Sequence, residues 1–212
     1  MLSQKLKKLY FVLRIPPYRN AFLGYRVAAS VEHDAFLDRL GNEIRCFVDI
    51  GANRGQFALA ARNHFPAAKI VCFEPLPGPL EILKHVFKED DRLLAHEMAI
   101  GVKDMQTVMH VSKQDDSSSL LPITALQSTI YPGTEERETR LVQVRPLDAV
   151  ISRSEIEQPA LLKIDVQGFE GEVLKGCQAL FPCLSYIYVE CSFIPLYSGQ
   201  ALANDVISYL ND

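Results

Sequence analysis

Acidic residues and glycines cluster where two predicted strands end. Asp49 lies at the end of an apolar run, and Gly51 follows two residues later. Gly51 permits a tight turn and close approach of a ligand to bare main chain. Gly55 is expected to bring the next helix against the strand. Glu74 closes the second strand, nineteen residues after Gly55. The spacing predicts a ligand site where both strands end.

These residue types indicate which ligand fits. A carboxylate at Asp49 can accept a hydrogen bond from a cationic amine, and one at Glu74 can accept both hydroxyls of a ribose while repelling a 2′-phosphate. Asn53 stands where a dinucleotide fingerprint has a glycine that makes room for pyrophosphate, which disfavours a nicotinamide dehydrogenase. S-adenosylmethionine has an amine and a ribose but no phosphate. Alternatively, Asp49 caps the turn and Glu74 is a solvated strand end.

A later strand supplies a third acid. Lys163 and Asp165 alternate onto one side of a buried run that leads into a glycine and a helix. Buried charged residues are usually paired or functional, so these two are either a structural ion pair or catalytic. Glu190, which ends the last strand, is a weaker candidate. A hard cation held by Asp165 and Glu190 would need a third oxygen ligand, which the sequence does not place, so no metal site is predicted.

Short apolar segments rich in β-forming residues alternate with helical patterns. The predicted strands are Ile44–Ile50, Lys69–Glu74, Leu93–Ile100, Ala160–Val166 and Leu184–Cys191. The predicted helices are Gln56–Phe65, Leu80–Phe87, Phe169–Phe181 and Ala201–Leu210. This rhythm predicts an α/β fold with a Rossmann-like, doubly wound parallel sheet of order 3-2-1-4-5. The fourth strand then neighbours the first, which points Asp165 into the same crevice.

Residues 102–158 interrupt this rhythm. Thr107–Ser112 and Arg140–Val144 alternate like antiparallel strands on either side of a stretch rich in serine and threonine. We therefore expect an inserted β-hairpin that shapes the specificity for the acceptor substrate, as loops at strand ends often do. Ser117–Ser119 and Tyr131 either line that site or belong to a flexible loop.

The first 43 residues predict a basic helical leader. Residues 1–30 carry six lysines and arginines and no acid, and Leu2, Leu6, Leu9 and Leu13 recur at helical spacing. Pro16 and Pro17 are expected to end this helix. The apolar stripe either packs on the domain or a partner with its lysines in solvent, or it anchors residues 1–14 peripherally on anionic lipid. Nucleic acid is the least favoured partner.

Composition limits the class of protein. The chain has 212 residues, 48% of them hydrophobic, and a net charge of −4, which suits one domain of ordinary size and argues against a nucleic-acid-coating protein. No apolar run is long enough to span a bilayer. Five scattered cysteines without a CxxC motif indicate free thiols in a reducing compartment. The expected location is cytoplasmic, with contact at the inner face of the membrane if the leader binds lipid.

Several blocks together resemble the FkbM family of methyltransferases. They are DIGANRGQF from Asp49, FEP from Phe73, Glu97–Gly101, Ser117–Leu120, Pro146–Asp148 and LKIDVQGFEGEVLKG from Leu162. The last block is the most specific, and the resemblance runs from about residue 44 to the end. Residues 44–212 are therefore expected to form a methyltransferase domain.

The resemblance implies S-adenosylmethionine-dependent O-methylation of a sugar, a glycan or a secondary-metabolite hydroxyl. By matching position, Asp49, Gly51, Asn53 and Gly55 would surround the methionine end of that cofactor, and Glu74 would hold its ribose. Met98 and Ala99 would lie near the adenine. Asp165 would face the transferring methyl group as base or as the group that orients the acceptor, and Lys163 would tune it.

Family members usually continue past the last helix into further antiparallel strands, whereas this sequence ends at Asp212. Those strands are expected to be missing, which leaves a sheet edge uncovered. Either the sequence is truncated, or a partner subunit such as a second copy of the chain covers the edge. The alternative function is a non-catalytic binding or assembly module that keeps the cofactor fold.

Overall fold

The computed structural model of the protein describes residues 2–211, with side chains described from residue 8 onward except at position 42. Eight α-helices and eight strands are found in this range. The helices are α1 Leu2–Arg14, α2 Pro16–Tyr25, α3 Asp34–Arg39, α4 Gln56–His64, α5 Pro77–Val86, α6 Ala125–Ile130, α7 Glu170–Cys177 and α8 Ala203–Asn211. The strands are β1 Cys46–Ile50, β2 Lys69–Phe73, β3 Leu93–His96, β4 Ala99–Ile100, β5 Met105–Ser112, β6 Glu136–Arg145, β7 Ala160–Ile164 and β8 Tyr186–Val189.

Five parallel strands form the central sheet in the order β3-β2-β1-β7-β8. This confirms the predicted parallel sheet, in which the order of successive strands reverses between the first and the fourth central strand. Asp49 lies beside Cys72 on one neighbour and beside Lys163 on the other. The reversal opens a crevice at the carboxyl ends of β1 and β7, which is where such sheets bind ligands.

The third predicted strand was too long. Residues 93–100 form β3, which belongs to the central sheet, and β4, which pairs with β6 in a separate sheet. Glu97 and Met98 lie between them. The apolar pattern does not mark this break, because both halves are rich in β-forming and small apolar residues.

The predicted insertion is present as an antiparallel pair. Strand β5 pairs with β6 from Met105–Val144 to Ser112–Glu136, and β4 joins them in a three-stranded sheet of order β4-β6-β5. Both strands are longer than the alternating segments in the sequence, since the outer half of β6 is exposed and polar. Helix α6 lies in the connection between them.

The leader packs on the sheet rather than standing apart from it. Val12, Tyr18 and Leu37 are buried in the same apolar cluster as Phe47 of β1 and Ile70 of β2. Burial of each such side chain contributes about 1.5–3 kcal/mol to the free energy of unfolding. Hydrophobic contact is therefore continuous across the predicted boundary at residue 44. Helices α7 and α8 cover the opposite face.

Pro16 and Pro17 do not leave the chain extended. Helix α1 ends at Arg14, but both prolines then open α2 at its first positions. A proline is well accommodated there because the first N–H groups of a helix have no partner within it. In the described range, no helix has the length and apolarity needed to cross a membrane. Cys46, Cys72 and Cys177 are buried as free thiols, and Cys183 and Cys191 are half-buried.

Candidate active site

A cleft of about 420 Å³ lies at the carboxyl ends of β1, β2 and β7. Its volume is in the range of small-molecule sites. One wall, here called the strand-tip wall, consists of the loop after β1, the end of β2 and the end of β7. A second wall, here called the leader wall, is formed by Lys8, Arg26, Ala28, Ser30, Glu32 and His33. The insertion closes a third side.

The loop after β1 has a left-handed backbone at Gly51, Asn53 and Gly55, with φ of 79°, 46° and 84°. A Cβ on Gly51 would lie 1.8 Å from the carbonyl oxygen of Asp165. Gly51 is thus required by close packing of the loop on the end of β7, and its main chain also lines the cleft. A Cβ on Gly55 would meet Phe87, just beyond α5, at 2.8 Å, so this position is closely packed from the side of α5.

Asp49 and Lys163 form a buried ion pair beneath this loop. Asp49 is fully buried, and the Lys163 Nζ lies 3.0 Å from its Oδ1. The same ammonium donates a hydrogen bond to the carbonyl of Gly51 at 2.9 Å and lies 3.9 Å from Asp165 Oδ2. Burial alone lowers the pKa of Lys163, but the charges of Asp49 and Asp165 raise it above its ordinary value. Lys163 therefore stays protonated and fastens the loop to β7.

The structure does not place Asp49 on the surface of the cleft. Lys163 lines the cleft, and the carboxylate of Asp49 lies behind it. Direct contact between Asp49 and a ligand amine, as the sequence suggested, would require the ion pair to open. Asp49 instead holds the lysine that holds the Gly51 carbonyl.

Glu74 does line the cleft. Its Oε2 accepts a hydrogen bond from the Asn53 N–H at 2.9 Å, and its Oε1 accepts one from the Leu76 N–H at 2.8 Å. Burial raises the pKa of Glu74 to about 7, although both backbone donors lower it. The two hydrogen bonds fix the carboxylate at the end of β2 and leave each oxygen one further lone pair.

Asp165 lines the cleft at the end of β7 and is held from two sides. The Gln167 Nε2 donates to Asp165 Oδ1 at 2.8 Å, and the buried Tyr197 hydroxyl donates to Gln167 Oε1 at 2.9 Å. These two hydrogen bonds and the nearby Lys163 ammonium orient the Asp165 carboxylate, which remains partly open to the cleft. Glu190 also lines the cleft, and the charge of Asp165, with partial burial, raises the pKa of Glu190.

The two residues predicted near an adenine separate. Ala99 lines the cleft together with Ile100 and Phe73, whereas Met98 packs into the apolar cluster on the α7 face. The turn between β3 and β4 directs Met98 away. An apolar surface for a flat ring is thus present, but Met98 does not line it.

Sequence reasoning missed the leader wall. His33 lines the cleft, its Nδ1 lies 2.9 Å from the Tyr188 hydroxyl, and its ring centroid lies 5.0 Å from that of Phe57. Burial lowers the pKa of His33, and the nearby Glu32 carboxylate offsets this only in part, so the imidazole is neutral at pH 7. The local sequence carries no signal for this, because packing against α4 and β8 brings His33 to the cleft.

The insertion contributes Ser118, Asp115 and Asp116 to the cleft. Ser119 instead donates a hydrogen bond to the carbonyl of Gln167 at 2.6 Å, and Tyr131 is exposed away from the cleft. The serine run therefore secures the insertion to the loop after β7 more than it lines the cleft. Across the described part of the chain, no three His, Cys, Asp or Glu side chains are grouped as metal ligands.

Comparison with known families agrees with this geometry. The family model described as "Methyltransferase FkbM domain" matches residues 49–212. The chain belongs to the FkbM methyltransferase family. It is therefore a methyltransferase, and the matched range covers the strand-tip wall and the insertion. Residues 8–33, which supply the leader wall, precede that range.

Three curated relatives carry methyltransferase names. The FkbM chain is 27% identical to 2-O-methyltransferase NoeI of Sinorhizobium fredii over 169 residues, which cover 77% of this chain and 70% of that protein. It is 29% identical to Methyltransferase sdnD of Sordaria araneosa and 26% identical to Methyltransferase 1 of Beauveria bassiana. The aligned segments span 59% and 57% of those two proteins, less than two thirds of their length.

Proposed function

We propose that this FkbM protein transfers a methyl group from S-adenosylmethionine to a hydroxyl of a sugar, a glycan or a secondary metabolite. The observation that carries the proposal is the fixed carboxylate of Glu74 at the end of β2, beside the bare main chain of the loop after β1. The printed name of the NoeI relative, a 2-O-methyltransferase, supports oxygen as the acceptor atom.

The cleft residues fit S-adenosylmethionine. Each Glu74 oxygen has a lone pair left for a ribose hydroxyl, and Ala99, Ile100 and Phe73 offer an apolar surface for the adenine. Main chain at Gly51 and Asn53 lies open to the cleft. When bound, this cofactor supplies a methyl group activated on a sulfonium. Asp49 and Lys163 serve it indirectly, because they hold the Gly51 carbonyl and hence the loop.

The remaining chemistry belongs to the acceptor hydroxyl. Aligning a bound acceptor is worth roughly 7–11 kcal/mol of the barrier, and a proton acceptor adds about 10²–10⁴-fold. Asp165 is the first candidate for that role, since Gln167 and Lys163 fix its carboxylate while it stays open to the cleft. Asp165 would accept either the proton of the acceptor hydroxyl or a hydrogen bond from it while the hydroxyl oxygen attacks the methyl group. Neutral His33 on the leader wall is the second candidate.

Cofactor binding is tested by titrating the protein with S-adenosylmethionine in a calorimeter. We expect saturable binding that Glu74→Gln weakens about tenfold or more. The amide NH₂ of glutamine cannot accept a hydrogen bond from a ribose hydroxyl, and it would lie against the N–H group of Asn53 or Leu76, which is also a donor. Glu97→Gln is the matched control, since Glu97 is exposed and does not line the cleft. Absence of binding, or equal effects of both variants, would refute the cofactor assignment.

Methyl transfer is tested by following label from the methyl-labelled cofactor into carbohydrate, lipid and small-molecule fractions of a cell extract. We expect the label in molecules that carry hydroxyl groups, as a methyl ether that is stable to alkali. Asp165→Asn should lower the rate by about 10²–10⁴-fold with cofactor binding retained. Asp148→Asn, an exposed change outside the cleft, should not. Label found only on nitrogen or carboxyl groups would contradict O-methylation.

A further inference from the structure

Residues 8–14, the part of the leader helix whose side chains the structure describes, present an apolar face that no other described residue covers. Of the predicted stripe, the structure describes the side chains of Leu9 and Leu13, and these are 41% and 39% exposed. Among the described side chains of α1, Val12 is only 1% exposed and enters the core. The described part of the helix thus packs on the domain through Val12, while Leu9 and Leu13 of the stripe stay exposed.

Aromatic residues widen this face. Tyr10 and Phe11 are both about half exposed, so four large apolar side chains are open to solvent within five residues. The Arg14 guanidinium lies 5.8 Å from the centroid of the Tyr10 ring and donates to the Tyr10 hydroxyl at 2.8 Å. A helix with exposed leucines and aromatics beside a cation is typical of segments that lie in a membrane interface.

Charge selects what covers this face. Residues 1–30 contain six lysines and arginines and no acid, and Arg14 and Arg19 are exposed. A second copy docking through the same face would bring like charges together, which disfavours a symmetric dimer there. An anionic lipid surface complements the charge, and each cation near such a surface adds about 1 kcal/mol to binding.

We propose that helix α1 lies in the surface of an anionic bilayer, with Leu9, Tyr10, Phe11 and Leu13 inserted at the level of the headgroups. The helix also touches the active site, because Lys8 lines the cleft and pairs with Glu32 at 2.8 Å. Binding of α1 therefore sets the leader wall next to the lipid surface, where a membrane-associated acceptor would enter. Lipid binding itself does not depend on the proposed methyl transfer.

The experiment is co-sedimentation of the full chain with vesicles of phosphatidylcholine alone or mixed with phosphatidylglycerol. We expect binding to the anionic vesicles, lowered about tenfold or more by Leu9→Ser with Phe11→Ser. The matched control is Leu141→Ser with Phe193→Ser, which removes a leucine and a phenylalanine outside the leader that are even more exposed than Leu9 and Phe11. Arg14→Gln and Arg19→Gln should each cost about fivefold on anionic vesicles only.

Two results would overturn the proposal. One is failure of the unmodified chain to sediment with phosphatidylglycerol vesicles, or an equal loss in the control pair. The other is a dimer in solution that the Leu9 and Phe11 changes convert to a monomer without altering vesicle binding, which would make a second copy the occupant. Calorimetry with S-adenosylmethionine on the same samples measures cofactor binding independently. Failure of the lipid-binding proposal can therefore be distinguished from failure of the proposed methyl transfer.

Discussion

The strand-tip wall and the leader wall of the cleft are built differently. On the strand-tip wall, charged groups are buried and tied to one another and to the main chain, as in the Asp49–Lys163 pair and the Glu74 carboxylate. On the leader wall, the imidazole of His33 is half-buried, and the Tyr188 hydroxyl is its one hydrogen-bond partner among the described residues. The family match includes the first wall and not the second. We infer that the strand-tip wall holds the cofactor and presents Asp165 to the acceptor, and that the leader wall adds contacts to an acceptor particular to this protein.

The largest expected effect is on the loop of the strand-tip wall. Gly51→Ala places a Cβ 1.8 Å from the Asp165 carbonyl at a φ of 79°. We expect a loss of more than about 4 kcal/mol in the free energy of unfolding, or no folded protein, because two main chains must separate. Thermal unfolding followed by circular dichroism measures this.

Gly41→Ala is the control for backbone strain alone. Gly41 has a φ of 68°, but no other group lies within 4 Å of the position that an alanine Cβ would take, so its cost should be only about 1–2 kcal/mol. Similar losses for the two variants would show that conformation, and not contact with β7, accounts for Gly51.

The second test breaks the buried ion pair. Lys163→Met leaves the Asp49 carboxylate buried without its counter-charge, which should lower the free energy of unfolding by about 3–5 kcal/mol in urea titrations. Lys69→Met removes a surface partner of Glu155 and should cost at most about 1 kcal/mol. Changing Asp49→Leu along with Lys163→Met should recover much of the loss. A Lys163 variant as stable as the Lys69 variant would contradict this picture.

The third test separates the walls by function. His33→Gln should lower kcat about tenfold to a hundredfold and leave the dissociation constant of S-adenosylmethionine unchanged, because His33 belongs to the leader wall, which we infer to contact the acceptor. His64→Gln is the control, since His64 pairs with Asp34 outside the cleft. A weaker cofactor affinity in His33→Gln, with kcat preserved, would place the cofactor against the leader wall instead.

This division also explains what the sequence could predict. The parallel sheet, the insertion, and the positions of Glu74 and Asp165 follow from local pattern, since strand ends in such folds meet at one edge. The neighbour of Gly51 is the main chain of Asp165, more than a hundred residues away, and His33 reaches the cleft by packing on Phe57 and Tyr188. Contacts between residues distant in the chain have no local signature, so these were missed or misread.

The smallest effect, and the sharpest test of the strand-tip wall, is the pH dependence of cofactor binding. Burial raises the pKa of Glu74 to about 7, so lowering the pH from 8 to 6 protonates it in the free protein. A protonated carboxyl loses acceptor capacity toward a ribose, and cofactor affinity should therefore fall by about tenfold over this range. Calorimetric titrations at both pH values measure the change, and Glu74→Gln should abolish it while Glu97→Gln should not.

Stability should change in the opposite direction, which gives an internal check on the same group. The pKa of Glu74 is higher in the folded chain than its ordinary value of 4.5, so the folded state binds the proton more tightly than the unfolded state. The free energy of unfolding should then decrease as the pH rises from about 4.5 to about 7. Glu170, whose pKa burial also raises to about 7, adds to this decrease. Glu74→Gln should remove only the Glu74 share, so a pH profile of stability identical to that of the unmodified chain would mean that Glu74 is ionised throughout and that the affinity change arises elsewhere.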